Sequence, residues 1–358
     1  MPTPVGITSL TVTPSAPLAI CAKEDGSVHI YDISSEPRSQ ELFVQPAGLR
    51  ISHLHFEAGS GILSSVDIVN RVVSRELVRK RSVGSRWEVR NPLITVQPEA
   101  AVVSILTSGK HSRLLISTSK SDILYRLPGN SNGQCLVQIE NSEERHWVQS
   151  ESHADQLVLM TKEKIQIRVW DTLECLASVS LSSGFAAPFT TVDRLIPLDY
   201  SPFFATVAID PSGSTSQSTT QIWDLRTITS DHSHYSSPTE TYNFGALSPT
   251  IEAVIGVING RIIFLNTSYW VCSLDLENPL APEGVVQHFF IPSDSVSSLK
   301  ESGAYLGKNG DIIFVRRAEL AVIKKGLEVT VNGTYTLARR RSFGTRRGFS
   351  VVQRTIQR

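Results

Sequence analysis

One five-residue frame recurs seven times along this 358-residue chain, each time closing a short apolar run. The copies are Val28-His-Ile-Tyr-Asp32, Arg71-Val-Val-Ser-Arg75, Asp122-Ile-Leu-Tyr-Arg126, Ile167-Arg-Val-Trp-Asp171, Thr220-Gln-Ile-Trp-Asp224, Ile262-Ile-Phe-Leu-Asn266 and Ile312-Ile-Phe-Val-Arg316. Their last residues lie 43, 51, 45, 53, 42 and 50 positions apart, about 47 on average. A unit of that length cannot bury its own apolar faces, so the chain must stack like units against one another. Three of the seven copies end in an aromatic residue followed by aspartate.

The segments upstream of each frame repeat as well. An apolar strand, a Ser/Pro/Gly turn, a second apolar strand and a tight polar turn lead into the frame. The first copy shows the plan: Ser9 to Thr13, a turn at Pro14-Ser-Ala-Pro17, Leu18 to Ala22, then Asp25-Gly26 before Val28. Asp-Gly suits a tight reversal because glycine tolerates positive φ. A fourth strand follows several frames, and Cys135, Cys175 and Cys272 each stand near its start. No helical periodicity separates the strands, which excludes alternating βαβ units. The expected fold is all-β, a seven-bladed β-propeller of four-stranded blades over residues 1–328. The strand at 5–12 is expected to complete the last blade.

Composition agrees with one packed array. Hydrophobic residues make up 41 % and charged residues 19 %, the balance of a globular chain. Net charge is zero, but residues 331–358 hold seven arginines and no acid, which leaves a mildly acidic body of 27 basic against 34 acidic residues. Few apolar residues recur after Leu327, so residues 329–358 are expected to be a disordered basic tail. Neither a long apolar stretch nor a basic-then-apolar start is present, and cytoplasmic residence is expected, with a nuclear location open through Arg339-Arg-Arg341. The four cysteines are far apart and form no C-x-x-C pair, so reduced packing thiols are expected. The sequons at Asn266 and Asn332 are read as chance matches.

Trp170-Asp171 and Trp223-Asp224, with the Tyr31-Asp32 variant and Asp25-Gly26 upstream, resemble the WD-repeat family of β-propellers across roughly residues 5–328. No Gly-His dipeptide occurs, so the repeats are degenerate members of that pattern. A narrower likeness covers His288 to Pro292, Gly310 to Arg317 and Glu319 to Leu327. It is to the closing WD-repeat segment of fungal NACHT-type, NLR-like NTPases, in which the propeller is a recognition or regulatory module. No G-x-x-x-x-G-K-[ST] stretch is present, so nucleotide switching is not expected of these residues, whether they form a stand-alone relative or a piece of a longer product. Arg316-Arg317 is similar to the paired arginines of phosphoinositide-binding propellers, but Ala318-Glu319 stands where that pattern has glycine, and that function is not carried over.

Nothing in the chain assembles enzyme chemistry. There is no G-x-S-x-G elbow, and the frame aspartates Asp171 and Asp224 are expected to bond nearby backbone. His53 with His55, and His232 with His234, are paired too sparsely for zinc, which takes three or four ligands. We expect neither cofactor, metal nor small-molecule substrate, and a protein partner bound by the rims of the blades. One alternative is weighed. Arg71, Arg75, Arg79, Lys80 and Arg81 crowd the second repeat, and at a strand period of two the arginines share one side. Such a stripe, together with the Arg-rich tail, would contact nucleic acid or an acidic membrane; the plainer reading is a solvated edge guarded against strand pairing.

Overall fold

The computed structural model describes residues 5–13, 17–33, 38–80, 86–128, 133–141, 143–149, 155–180, 191–197, 203–209, 218–224, 239–243, 245–276, 284–292, 304–307, 310–316, 319–328 and 349–352. The first sheet contains β1 (Ile7–Thr13), β2 (Leu18–Lys23), β3 (Ser27–Asp32) and β4 (Arg38–Val44). The second contains β5 (Ile51–Glu57), β6 (Ile62–Asp67), β7 (Val72–Lys80) and β8 (Arg86–Val96), and the third β9 (Val102–Ser108), β10 (Arg113–Thr118), β11 (Ser121–Arg126) and β12 (Cys135–Glu140). The fourth is built from β13 (Arg145–Gln149), β14 (Gln156–Thr161), β15 (Lys164–Val169) and β16 (Cys175–Ser180). The fifth is built from β17 (Thr191–Pro197), β18 (Phe203–Ile209), β19 (Ser218–Asp224) and β20 (Thr239–Asn243). The sixth has β21 (Ile251–Ile258), β22 (Arg261–Asn266), β23 (Trp270–Asp275) and β24 (Val286–Phe290); the seventh has β25 (Ala304–Leu306), β26 (Ile312–Arg316), β27 (Glu319–Ile323) and β28 (Phe349–Val352).

In every sheet the strands lie side by side in chain order. Six of the sheets are antiparallel throughout, as a meander of short turns requires. The seventh departs from this plan, because β28 pairs parallel to β27. Six four-stranded antiparallel blades therefore stand where seven were expected. A parallel partner needs a long connection, and β28 comes from residues 349–352, inside the stretch expected to be an unstructured tail. The rest of that stretch lies outside the described residues.

The N-terminal strand also differs from expectation. Residues 7–13 pair with β2 in the first sheet and do not complete the last one. The frame itself shifts place: it falls on the third strand of the first five sheets but on the second strand, β22 and β26, of the last two. Asn259-Gly260, with both residues at positive φ, turns β21 into β22, whereas in Asp25-Gly26, between β2 and β3, only the glycine has positive φ. Turn chemistry marks a hairpin, not its position in the sheet. One consequence is that Cys272 sits on the third strand of its sheet, whereas Cys135 and Cys175 begin fourth strands.

The described residues divide into two compact units, residues 1–142 with 297–324 and 338–358, and residues 143–296 with 325–337. In the first, alternate residues of each middle strand serve two neighbours. Leu18, Ile20, Ala22, Val28 and Ile30 pack on Phe56, Leu63 and Leu77 of the second sheet. The intervening Ala19, Cys21 and Tyr31 pack on Ile313, Val315, Leu320 and Val322 of the seventh. The second sheet repeats the device, turning Ile62, Val66, Val72 and Ile94 toward Val102, Ile105, Leu114 and Ile116 of the third. In the second unit Val158, Met160, Ile165 and Ile167 pack on Phe204 and Trp223, and Ala205 with Ile222 packs on Ile262, Phe264, Cys272 and Leu274. Each such aliphatic side chain contributes about 1.5–3 kcal/mol by leaving water.

One buried polar group links this packing to pH. His55 on β5 is half-buried, and its Nδ1 is enclosed without a hydrogen-bond partner among the described residues. Burial pushes its pKa down from 6.5 to about 4. Between those values the unfolded chain takes up a proton that the folded protein refuses, so stability falls as the pH falls through the window. Over it His55 accounts for at most about 3 kcal/mol. Urea unfolding at pH 7.5 and 4.5 is expected to show a smaller acid loss for His55→Gln than for the unsubstituted chain, the difference being about 2–3 kcal/mol; equal losses would remove His55 from the account.

Candidate interaction surface

The turn from β6 to β7 is held by one carboxylate. Asp67 ends β6 with its side chain fully buried. Its Oδ1 accepts the backbone N–H of Val69 at 3.1 Å and of Arg71 at 3.0 Å, and its Oδ2 accepts Arg71 Nε at 2.9 Å. Asn70 takes the left-handed conformation at φ 61°, which asparagine tolerates well, and donates its backbone N–H to the Asp67 carbonyl. Neighbouring loops brace the outside. Ile68 N–H bonds the Arg50 carbonyl at 3.0 Å, Gln97 Nε2 donates to the Val69 carbonyl at 3.0 Å, and Asn70 Oδ1 accepts Val102 N–H at 3.3 Å.

This scaffold leaves two aliphatic side chains in water. Ile68 is 58 % exposed and Val69 46 %. Both are β-branched and stiff at χ1, so ordering them against a partner costs little entropy. A fixed backbone carrying exposed, stiff, apolar side chains can bind another protein surface; it offers no nucleophile or acid for chemistry.

The basic cluster of the second repeat lies next to this turn and is put to another use. Arg75 and Arg79 do share one side of β7, but that side faces the first sheet. The Arg75 guanidinium sits 4.6 Å from the centre of the Phe43 ring, and Arg79 lies 5.9 Å from the Trp87 ring and 3.9 Å from Asp32. Arg71 is held by Asp67. Lys80 pairs with Glu88 at 2.7 Å and Arg90 with Glu76 at 3.0 Å, both at the surface, where solvent screens the attraction. Arg81 lies outside the described residues. Gln40 joins β4 to β8 by accepting the Trp87 N–H at 2.8 Å and donating to its carbonyl at 2.6 Å. That clamp covers the polar edge of β8, a strand otherwise open to pairing.

The frame residues turn out to be structural in unlike ways. Asp25 Oδ1 accepts both Ser27 N–H at 2.9 Å and Ser27 Oγ at 2.6 Å. Burial pulls its carboxyl up, but the Ser27 bonds and the Lys23 and His29 charges outweigh that and hold it below its ordinary value. Gly26 has φ 78°, and a Cβ there would meet the Leu49 carbonyl oxygen at 2.8 Å, so only glycine fits. Tyr31 is buried against the seventh sheet, and Asp32 next to it is part-exposed near Arg79. Trp170 is fully buried and donates Nε1–H to Gln149 Oε1 at 2.6 Å, while Asp171 is exposed. Trp223 stacks on Phe204 at 6.0 Å and donates to Thr206 Oγ1 at 2.9 Å, with Asp224 buried beside it.

His53 and His55 are both partly buried, and burial lowers both pKa values; His232 and His234 lie outside the described residues. Among the described residues no group of three or more His, Cys, Asp or Glu is placed to hold a metal, and no helix is long and apolar enough to cross a membrane. Cys21 and Cys272 are buried, which pushes their thiols up to about 12 and about 11. Ile68 and Val69 escaped the sequence reading because two aliphatic residues before a frame look like strand. The usable signal was their flanks, Asp67 and Asn70, a pair suited to a tight turn.

No family model matches the chain, and no curated protein matches it. Solved structures do. The β-propeller domain of Myceliophteria thermophila Cps50 (Swd1) aligns over 87 % of this chain and 93 % of its own, with 11 % identity and a TM-score of 0.57. Kluyvelomyces marxianus Hsv2 aligns over 91 % and 96 %, with 11 % identity and a TM-score of 0.55. A chain of the mitotic checkpoint complex aligns over 87 % of both chains, with 12 % identity and a TM-score of 0.52. The class is thereby one of fold: a β-propeller built from four-stranded sheets, six of them antiparallel throughout.

Asp67 is the group on which the exposed turn depends. Asp67→Ala is expected to lower the unfolding free energy by about 2–4 kcal/mol, since it strips two N–H groups and the Arg71 guanidinium of their acceptor. Asp67→Asn, which keeps a carbonyl oxygen, should cost less in the same urea titration. A loss under about 0.5 kcal/mol for the alanine variant contradicts this role.

Proposed function

We propose that this chain is a non-catalytic recognition module and that the Ile68-Val69 tip is a contact it offers to a protein partner. The observation that carries the reading is the pairing of high exposure with a fully buried, multiply bonded Asp67 beneath. Exposed aliphatic side chains on a rigid turn fit an apolar pocket rimmed by polar groups, the arrangement in which a few residues dominate binding. The likeness to a chain of a multiprotein assembly, the mitotic checkpoint complex, supports this class of function.

The narrower reading is that the module serves a NACHT-type signalling protein. It rests on the resemblance over residues 288–292, 310–317 and 319–327. Phe289, Ile291, Ile312, Ile313, Leu320 and Val322 in those segments are buried, so they speak for kinship through packing and not for a contact. Anion binding by the second-repeat cations is the alternative, and salt separates the two, because phosphate contacts weaken steeply with ionic strength.

The test is affinity capture with the whole chain and with the double variant Ile68→Glu/Val69→Glu. We expect protein partners that survive high salt with the unsubstituted chain and are lost with the variant, whose melting temperature is unchanged, as for a surface substitution. Capture unaffected by the double variant contradicts the tip as the contact. Capture of nucleic acid that disappears at high salt favours the anion reading.

A further inference from the structure

We propose that Arg75 and Arg71, flanked by Gln45, form a binding site for a phosphate-type oxyanion between the first and second sheets. The site is separate from the Ile68-Val69 tip and does not rest on it. Arg75 is half-buried on β7, and its NH1 is enclosed with no hydrogen-bond partner among the described residues. The NH2 of Arg71 is likewise enclosed without a geometrically sound hydrogen bond, although it stands 2.9 Å from Asp67 Oδ2. Gln45 is only 2 % exposed, yet both its amide oxygen and nitrogen lack partners among the described residues.

The path of the chain links these groups. Phe43 carries the Arg75 guanidinium at 4.6 Å. Gln45 follows two residues later in extended conformation, φ −62° and ψ 139°, so alternation turns its side chain to the side of Phe43. Its backbone N–H is tied to Gly26 in the β2–β3 turn, and the loop that begins at Gln45 reaches Arg50, whose carbonyl binds Ile68 in the turn that ends at Arg71.

Charge decides what such a place wants. A guanidinium stays charged under all ordinary conditions, so burial cannot be relieved by losing a proton. Burial disfavours the Arg75 cation, and the Arg71 charge beside it disfavours it further. Asp67 has both oxygens engaged with the turn and with Arg71, and no carboxylate pairs with Arg75 among the described residues. The Phe43 ring face offsets only part of the cost. Two guanidinium groups and an amide donor, with one compensating acid, match a small anion with several acceptor oxygens. Phosphate fits this, either free or as a monoester.

The experiment is thermal unfolding of the whole chain in rising inorganic phosphate, with ionic strength held constant by sodium chloride. A saturable rise in melting temperature is expected, because a ligand bound only by the folded state stabilises it. Arg75→Met, which keeps an apolar stem on Phe43, should abolish the saturable rise. Gln45→Leu should raise the half-saturating phosphate concentration severalfold, so the proposal stays testable should Arg75→Met fail to fold. A parallel titration with glycerol 3-phosphate reads whether the site also admits a monoester; a saturable response to either anion supports the site. A melting temperature that responds to neither anion beyond chloride overturns it, as does an equal response from all three proteins. An Ile68→Ser/Val69→Ser variant, which removes the apolar tip without adding charge beside Arg71, should respond like the unsubstituted chain, which keeps failure here distinct from failure of the interaction reading.

Discussion

The structure depends on one constraint: a four-stranded sheet of short strands has two apolar faces, and each must be covered by another sheet. Leu18 to Ala22 shows the solution in five residues, with Leu18, Ile20 and Ala22 turned to the second sheet and Ala19 and Cys21 to the seventh. Every residue of β6 is buried for the same reason. β2, β10 and β14 have little solvent face, so the usual alternation of apolar and polar residues is suppressed and they read as near-continuous apolar runs. Exposed side chains gather at turns and strand ends, where Ile68, Val69, Arg79 and Lys80 lie.

That constraint also explains which parts of the fold were legible in the sequence. Frames from Val28–Asp32 to Thr220–Asp224 marked third strands correctly, because two apolar strands precede each in its repeat. The frames ending at Asn266 and Arg316 carry the same local signals but occupy second strands, since a β-turn and an apolar run look alike in any hairpin. The shortest spacing, 42 residues between Asp224 and Asn266, is where the shift occurs and was the one available trace of it. The parallel β28 had no local signal at all, as a long-range pairing depends on a partner far away in the chain.

The candidate surface was half legible. Arg71, Arg75 and Arg79 stood out by charge, and Arg75 and Arg79 do share a side of their strand. What period-two reasoning could not supply is that this side packs against Phe43 and Asp32 of the neighbouring sheet. Arg75 on Phe43 and Arg79 beside Asp32 join the two sheets, Lys80 pairs with Glu88 within the second, and Arg75 is left without an acid among the described residues. The exposed tip went unseen because Ile68 and Val69 look like core, and it is the buried Asp67 that places them outside.

The central claim is that this turn is rigid although its side chains are exposed. Amide hydrogen exchange resolved to single residues tests it in the free protein, because Val69 and Arg71 N–H groups bond a buried carboxylate and should exchange far more slowly than open loop amides. Slow exchange at both positions is the result the account requires. Exchange at the rate of an unstructured peptide would show that Asp67 does not hold the turn, and the preformed contact would have to be abandoned.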